Sequence, residues 1–561
     1  MDCHKTKDSW PVQLAGGLAA SAVLLTVMQA PWNAHFLAWV AWVPFVLACA
    51  PGTPTKRLLV WAYLASLGYW LFNLWWLTPV TIPGYVVFCL YQSLYGPILA
   101  LCVQWVRRKG WALTLFAPVI FAGAEAIQGN LFGGFSWFFL SHSQYQQLPL
   151  IQICDIFGAL GVSVLVAMVN GLAADGLIEW SRRPRWGWGF AKKAALTMVC
   201  LWTAVGYGFY RIAQTPKFVT DGPVIGSVQP NVPSFVKEET ENAQELLDGL
   251  IEKSQACIDA GAALVAWPET MVLTTMNPGY LVHCSPSSEP RQFQQQILHH
   301  AEGQAYILFG ANSATVGSDF KITDQFNSAF LYRPDGTADL QRYDKIHLVP
   351  FGEFIPFRNS LPWIYRMIML LSPYDYDYNL TPGQTYTIFN IDDHNKAYRF
   401  GVLICYEDTH PTVTRKMVTD ENGVKRADWL VNISNDGWYV WYRDGKVAPS
   451  AELTQRMAIS VFRCIENRIA IVRSVNTGIS CLIDSTGRIH NNFQNGTLPK
   501  AASDRQGVDG WFTDRVPIDS RVTAFGRYGR WLEGVFGTGF VGVLAWTIME
   551  HYKNRRKGVR K

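Results

Sequence analysis

From residue 110 to residue 180 this chain carries not one lysine or arginine. A stretch of that length without a basic side chain is foreign to a water-soluble surface, and it lies among repeated apolar segments. Seven such segments occupy residues 12–29, 34–50, 58–77, 85–106, 111–128, 151–172 and 194–210, and an eighth lies near 531–550. Each approaches the ~20 residues that a helix needs to cross the hydrocarbon core of a bilayer. The second is short enough to be re-entrant, but the charges around it argue for a crossing. The expected fold class is an α-helical transmembrane bundle of eight spans, with a water-soluble α/β domain inserted between spans seven and eight.

Basic residues punctuate every second loop. Lys56-Arg57, Arg107-Arg108-Lys109, and Arg182-Arg183 with Arg185, Lys192 and Lys193 follow segments two, four and six. Lys553, Arg555, Arg556, Lys557, Arg560 and Lys561 follow segment eight, whereas the loops after segments one, three and five carry no Lys or Arg. Because cytoplasmic loops collect these residues, both termini are expected on the cytoplasmic side and the inserted domain on the outer side. Seven or nine spans would break the alternation. The net charge of +5 is small and sits beside apolar segments, so it reads as membrane topology and not as a nucleic-acid footprint.

Lys5 and Lys7 precede segment one as they would a secretory leader, but Ala30-Pro31-Trp32 is a poor cleavage site, and the segment is read as a span. Trp70, Trp75, Trp76, Tyr85, Trp105 and Trp111 cluster at segment ends, where aromatic anchors sit. Two acids fall in or near apolar spans: Asp155 is expected at the interface and Glu125 deeper.

Between residues 222 and 506 the pattern changes to short apolar runs alternating with helix-period stretches. Strands are expected at 224–229, 263–267, 305–311, 328–333, 398–405, 429–434, 470–474 and 478–484, and helices at 240–260, 411–419 and 451–467. This alternation argues for an α/β domain with mixed sheets, large enough to bury its own core. The expected divisions are 1–215, 216–515 and 516–561, the last holding the eighth span and a basic tail. Eleven cysteines include no Cys-x-x-Cys pair and no Cys/His spacing that would build a zinc site, so neither metal nor cofactor is expected. Five of them, Cys257, Cys284, Cys405, Cys464 and Cys481, fall in the α/β region, and their pairing is open at this level.

One run there stands apart: Gly401-Val402-Leu403-Ile404-Cys405-Tyr406-Glu407-Asp408. An apolar strand ends in a thiol beside two carboxylates, which suits either a buried core cysteine or a nucleophile supplied with a base and a cation. Glu269 ends Ala266-Trp267-Pro268-Glu269, where Pro268 turns the chain out of a sheet. Lys345 opens the irregular run 345–356, too rich in breakers for a helix. A carboxylate that takes the thiol proton, an ammonium that steadies an oxyanion and a thiolate that attacks a carbonyl make a coherent set.

Trp-Pro-Glu, Asp-Lys-x-His-Leu-Val-Pro-Phe-Gly-Glu and Cys-Tyr-Glu, in this order, resemble the nitrilase superfamily, whose members carry a Glu–Lys–Cys triad on an α-β-β-α sandwich. With eight spans, Gly134–Trp137, Asn435–Trp438 and Val475–Ser480 included, nearly the whole chain resembles the apolipoprotein N-acyltransferase family. The resemblance implies Glu269 as general base, Lys345 as oxyanion cation and Cys405 as nucleophile. It implies Glu353 as a supporting acid near the lysine, Tyr406 and Glu407 as shaping the pocket beside the thiol, and the Tyr406 N–H as an oxyanion donor. It further implies a phospholipid acyl donor, a diacylglyceryl-modified apolipoprotein acceptor, contact with membrane lipid, and a bacterial inner membrane with the catalytic domain on the periplasmic side. Nothing demands more than a monomer. Two positions depart from the family pattern: Lys237 and Glu238 stand where relatives often carry a Trp, and Gln455-Arg456 where a Gln-His pair is common. Residues 361–371, apolar but too short to span, suit an interfacial lid or a buried core helix. The competing functions are a membrane-tethered amidase of the same superfamily, for which one span would suffice, and a transporter or scaffold with a decayed outer domain.

Overall fold

The computed structural model describes residues 9–233, 242–355, 361–369 and 379–559. Two compact units emerge: Met1–Leu77 with Ile82–Ile212 and Arg530–Lys561, and Thr78–Thr81 with Ala213–Gly529. Lys237 and Glu238 lie outside the described residues, as do positions 370 and 371 of the expected lid.

The first unit is helical. Ser9–Val27, Thr55–Asn73, Leu113–Gln128, Trp188–Ala213 and Trp531–Val559 are continuous helices over the first, third, fifth, seventh and eighth apolar segments. The other three segments are broken. Segment four divides into Ile82–Gln92 and Tyr95–Lys109, because Pro97 cannot donate to the carbonyl of Ser93. Segment six divides into Leu148–Ile151, Cys154–Phe157 and Ala159–Arg182, the last beginning after Gly158 at φ +66°. Segment two is a 3-10 turn, His35–Trp39, followed by the six-residue helix Val43–Ala48, with Pro44 starting that helix afresh instead of extending the turn. Ile82–Lys109, Ala159–Arg182 and Trp531–Lys553 are long and apolar enough to cross a membrane, by length and composition.

Polar residues knit these helices together. Asp175 accepts the N–H groups of Leu113 and Thr114, each at 3.1 Å, and pairs with Lys193 at 2.9 Å. It thereby caps a neighbouring helix whose first amides have no partner of their own. Asp155 is 1% exposed and is bonded by Tyr207 Oη and Arg211 Nε, both at 2.8 Å, in an internal ion pair. Glu125, expected to be the deeper of the two, is only half-buried and accepts the Leu140 N–H at 2.7 Å.

The second unit contains strands β1 (Val219–Gln229), β2 (Leu264–Ala266), β3 (Val272–Thr275), β4 (Tyr306–Val316), β5 (Ile322–Tyr332), β6 (Ala338–Asp344), β7 (Ile388–Asp393) and β8 (Lys396–Ile404). They continue with β9 (Trp429–Ser434), β10 (Trp441–Arg443), β11 (Lys446–Ala448), β12 (Ala470–Val475), β13 (Cys481–Ile483), β14 (Asn495–Gly496) and β15 (Gly510–Asp519). One sheet runs β14-β15-β1-β2-β4-β5-β6 with β3 beside β4, and the second runs β13-β12-β9-β8-β7. Their inner faces meet where Ser474 Oγ donates to the Val228 and Ala266 carbonyls at 3.0 and 2.8 Å. Helices Ala243–Asp259 and Glu289–Ala301 bury Leu247, Leu250, Phe293 and Ile297 against Val265, Trp267 and Phe309 of the first sheet. Helices Pro411–Val418 and Ala451–Asn467 cover the second. The result is an α-β-β-α sandwich.

Helix Ala451–Asn467 and strand β9 follow the periodicity residue for residue. Strands β3, β6, β7 and β15 and helix Glu289–Ala301 have no counterpart among the expected elements. Strand β15 runs past residue 515, because it pairs antiparallel with β1 from Gly510 opposite Gln229 to Asp519 opposite Val219. Cys257, Cys284, Cys405, Cys464 and Cys481 are all free thiols.

Candidate active site

Strand β8 lies parallel to β9 in the middle of the second sheet and delivers Cys405 to the first position of a 3-10 turn, Cys405–Thr409. Cys405 adopts φ +51°, a left-handed conformation that costs a non-glycine residue about 1–3 kcal/mol. Burial, and after it the charge of Glu269, pushes the thiol up to about 12, against the pull of Arg456 and Lys345. At neutral pH the resting site therefore holds a protonated thiol.

Glu269 leaves the first sheet just after β2, as Pro268 requires. Strand β4 passes directly beneath it: a Cβ on Gly310 would lie 2.7 Å from the Glu269 Cα and 2.5 Å from the Thr270 nitrogen, so only glycine fits. The carboxylate accepts from Asn327 Nδ2 at 2.7 Å, Lys345 Nζ at 3.3 Å and the Asn435 N–H at 2.9 Å. Its two oxygens are thus aimed by both sheets.

Lys345 follows β6 and is 1% exposed. Its backbone is pinned on both sides, the N–H to the Asn327 carbonyl and the carbonyl to the Gly383 N–H, each at 2.8 Å. Its Nζ lies 2.7 Å from Glu353 Oε1. Burial opposes the charge, but Glu269 and Glu353 hold the ammonium well above the ordinary lysine range. Glu353 is fixed in turn by the Val349 N–H at 2.8 Å and by Asn327 Nδ2 at 3.3 Å. Glu269, Lys345 and Glu353 therefore form one bonded cluster, and Cys405 lies within its electrostatic reach.

Glu407 is fully buried. Its carboxylate accepts from Tyr343 Oη at 2.8 and 2.9 Å, the N–H groups of Ile346 and Ile404 at 2.8 Å, and that of His347 at 3.0 Å. It is a staple between the Lys345 loop and the end of β8, and it fixes cation and nucleophile through their backbones. Tyr406 is half-buried and stacks on His347 with ring centroids 5.7 Å apart.

Several residues escaped the sequence reading. Asn327 bridges Glu269 and Glu353 from inside β5, and the Asn435 N–H orients Glu269. Arg456 lies 1% exposed beneath the Cys405 turn, bonded to Asp408 and Asp436. The signal for Arg456 was present: on its helix face it stands between Glu452 and Ser460, four residues to either side, beside Leu453 and Met457. Helix Pro362–Met369 exposes Trp363, 65% accessible, so this residue is not the buried core that one reading of 361–371 expected.

Residues 21–172 match a family model described as the apolipoprotein N-acyltransferase N-terminal domain, and residues 224–511 match one described as carbon-nitrogen hydrolase. The chain is 30% identical over 491 residues to an apolipoprotein N-acyltransferase of Geobacter metallireducens, covering 84% of this chain and 85% of that one. It is 26% identical over 559 residues to that of Chlorobaculum tepidum, covering 94% of each. The enzyme of the same description from Brucella melitensis is 26% identical over 514 residues, covering 86% of this chain and 87% of its own. A helical apolar region followed by a nitrilase-like sandwich, each matched by its family model, and a 30% identical relative over 84% of this chain place the chain in the apolipoprotein N-acyltransferase family.

Proposed function

We propose that this chain transfers an acyl chain from a membrane phospholipid to the α-amine of the diacylglyceryl-modified N-terminal cysteine of apolipoproteins, through a thioester on Cys405. The observation that carries the reading is the cluster in which Glu269 and Glu353 share the buried ammonium of Lys345, at 3.3 and 2.7 Å, within electrostatic reach of the Cys405 thiol.

In the first half-reaction Glu269 accepts the thiol proton as sulfur attacks the ester carbonyl. A base is needed at that moment, because a thiol held at about 12 offers almost no resting thiolate. The new oxyanion is met by Lys345 Nζ and the Tyr406 N–H. Collapse expels the lysophospholipid alkoxide, which takes the proton back from Glu269. In the second half-reaction the acceptor amine attacks the thioester, Glu269 accepts an amine proton, and the thiolate leaves and is reprotonated. One preorganised hole serves both oxyanions, and the order of events is ping-pong.

The setting is a bacterial inner membrane, with eight spans, both termini cytoplasmic, and the sandwich on the periplasmic side. The alternating basic loops support it, and a monomer is sufficient. Helix Pro362–Met369, with Trp363 exposed, suits a lid that dips among lipid headgroups. Initial rates with a phospholipid and a diacylglyceryl peptide, varied together, test the sequence of steps. Parallel double-reciprocal lines are expected, and converging lines, or release of free fatty acid independent of the peptide, would point to a ternary mechanism or to hydrolysis.

A further inference from the structure

Beneath the candidate site, between the second sheet and helix Ala451–Asn467, lies a closed set of charges: Asp408, Asp436, Glu452, Arg456 and Arg473, each no more than 1% exposed. Arg456 donates from Nε to Asp408 Oδ1 at 3.1 Å and from a terminal nitrogen to Asp436 Oδ1 at 2.5 Å. Arg473 bonds the other oxygen of Asp408 and also Ser460 Oγ, the latter at 2.7 Å. Ser434 Oγ donates to Asp436 at 2.6 Å. Glu452 approaches Arg456 only to 3.9 Å. Burial, and then the charge of Asp436, holds Glu452 well above the ordinary carboxylate range.

The two carboxylates gripped by Arg456 are not equivalent in what they carry. Asp408 lies three residues beyond Cys405 on the same 3-10 turn, whose first residue is held at φ +51°. Asp436 directly follows Asn435, whose N–H binds Glu269 Oε2 at 2.9 Å. A planar guanidinium fixes the direction of both bonds at once, which an ammonium cannot do.

We propose that Arg456 is a positioning residue that registers the nucleophile against the base, holding the Cys405 turn through Asp408 and the Glu269-binding amide through Asp436. This rests on the acyl-transfer role of Cys405 and Glu269 given above. It assigns to the buried helix a part in the reaction that neither residue's own contacts reveal.

The test uses full-length protein in detergent as wild type, Arg456→Lys and Asp436→Asn, with folding followed by thermal melting. Steady-state acyl transfer from a fluorescent phosphatidylethanolamine to a diacylglyceryl peptide in mixed micelles gives kcat and KM, and iodoacetamide alkylation of Cys405 from pH 7 to 10 reports the thiol independently. Arg456→Lys should lose about 100-fold in kcat with little change in KM, as a small misplacement of reacting groups does. Asp436→Asn should also lower kcat, yet alkylate no more slowly than wild type, because it leaves the Arg456 charge in place. Loosened packing would instead speed alkylation of the buried thiol in both variants and lower the melting temperature with it. Wild-type kcat in both folded variants would overturn the proposal. So would faster alkylation with a lower melting temperature in both variants, or failure of both to fold, each of which would reduce the network to structural support. If wild type itself forms no acyl adduct, the acyl-transfer reading fails, and the alkylation profiles alone still decide whether Arg456 governs the thiol.

Discussion

Lys345 and Glu353 make the tighter of the two bridges in the site, 2.7 Å against the 3.3 Å from Lys345 to Glu269. The ammonium is therefore anchored by one carboxylate and only shared with the other. Glu269 also accepts from the neutral donors Asn327 and Asn435. The asymmetry fits the proposed division of labour, with Glu353 holding the ammonium and Glu269 taking the proton.

Glu353→Ala should accordingly cost both stability and rate. Removing one partner of a buried, hydrogen-bonded ion pair costs about 3–5 kcal/mol, toward the lower end here because Glu353 is partly accessible. Chemical denaturation of the variant reads the first effect, and the rate of acyl-enzyme formation the second. A variant as stable and as fast as wild type would assign the anchoring to Glu269.

Glu269→Gln should move two activities of the thiol in opposite directions. The Glu269 charge helps to hold Cys405 up at about 12, so removing it lowers that value and speeds alkylation at any given pH. Acyl transfer, deprived of its base, should fall by about 100- to 10,000-fold. In wild type, alkylation should climb about tenfold per pH unit from 7 to 10 with no plateau near 9, since the thiolate remains the minor form throughout. A plateau at that point would mean an unperturbed thiol.

Glu407→Ala tests the staple. It leaves Tyr343 Oη and the N–H groups of Ile346, His347 and Ile404 without their acceptor, and each stranded buried donor costs about 1–3 kcal/mol. The melting temperature should drop by far more than in Tyr343→Phe, which removes a single donor worth about 1 kcal/mol. Equal effects of the two substitutions would contradict the staple.

Gly310→Ala places a methyl 2.7 Å from the Glu269 Cα, where backbone must shift and the base with it. We expect folded protein with strongly reduced acyl transfer. Unchanged activity would mean that the position of Glu269 is not set from β4.

Cys405, Glu269 and Lys345 were legible because each interrupts a local pattern: a thiol closing an apolar strand, an acid after a proline, a lysine opening a run of breakers. Asn327 was not, since one polar residue within a strand reads as an outward-facing position unless the partner that claims it is known. Arg456 looked like a departure from a family motif, and only the fold turns it inward onto Asp408 and Asp436. Strand β15 was not expected, and the domain boundary at residue 515 cut through it, because its alternation is weak and its order comes from pairing with β1, some 290 positions away in sequence. Apolar periodicity located the helical segments but not the breaks at Pro44, Pro97 and Gly158, where backbone chemistry overrides hydrophobic pattern.

The most direct test is to incubate the purified protein with acyl-labelled phospholipid in the absence of any acceptor, and to map the product by mass spectrometry. We expect one acyl group on Cys405, released by neutral hydroxylamine as a thioester and transferred to a diacylglyceryl peptide when that is added, with no adduct in Cys405→Ala. An adduct at another residue, or acyl transfer that persists in Cys405→Ala, would contradict the account.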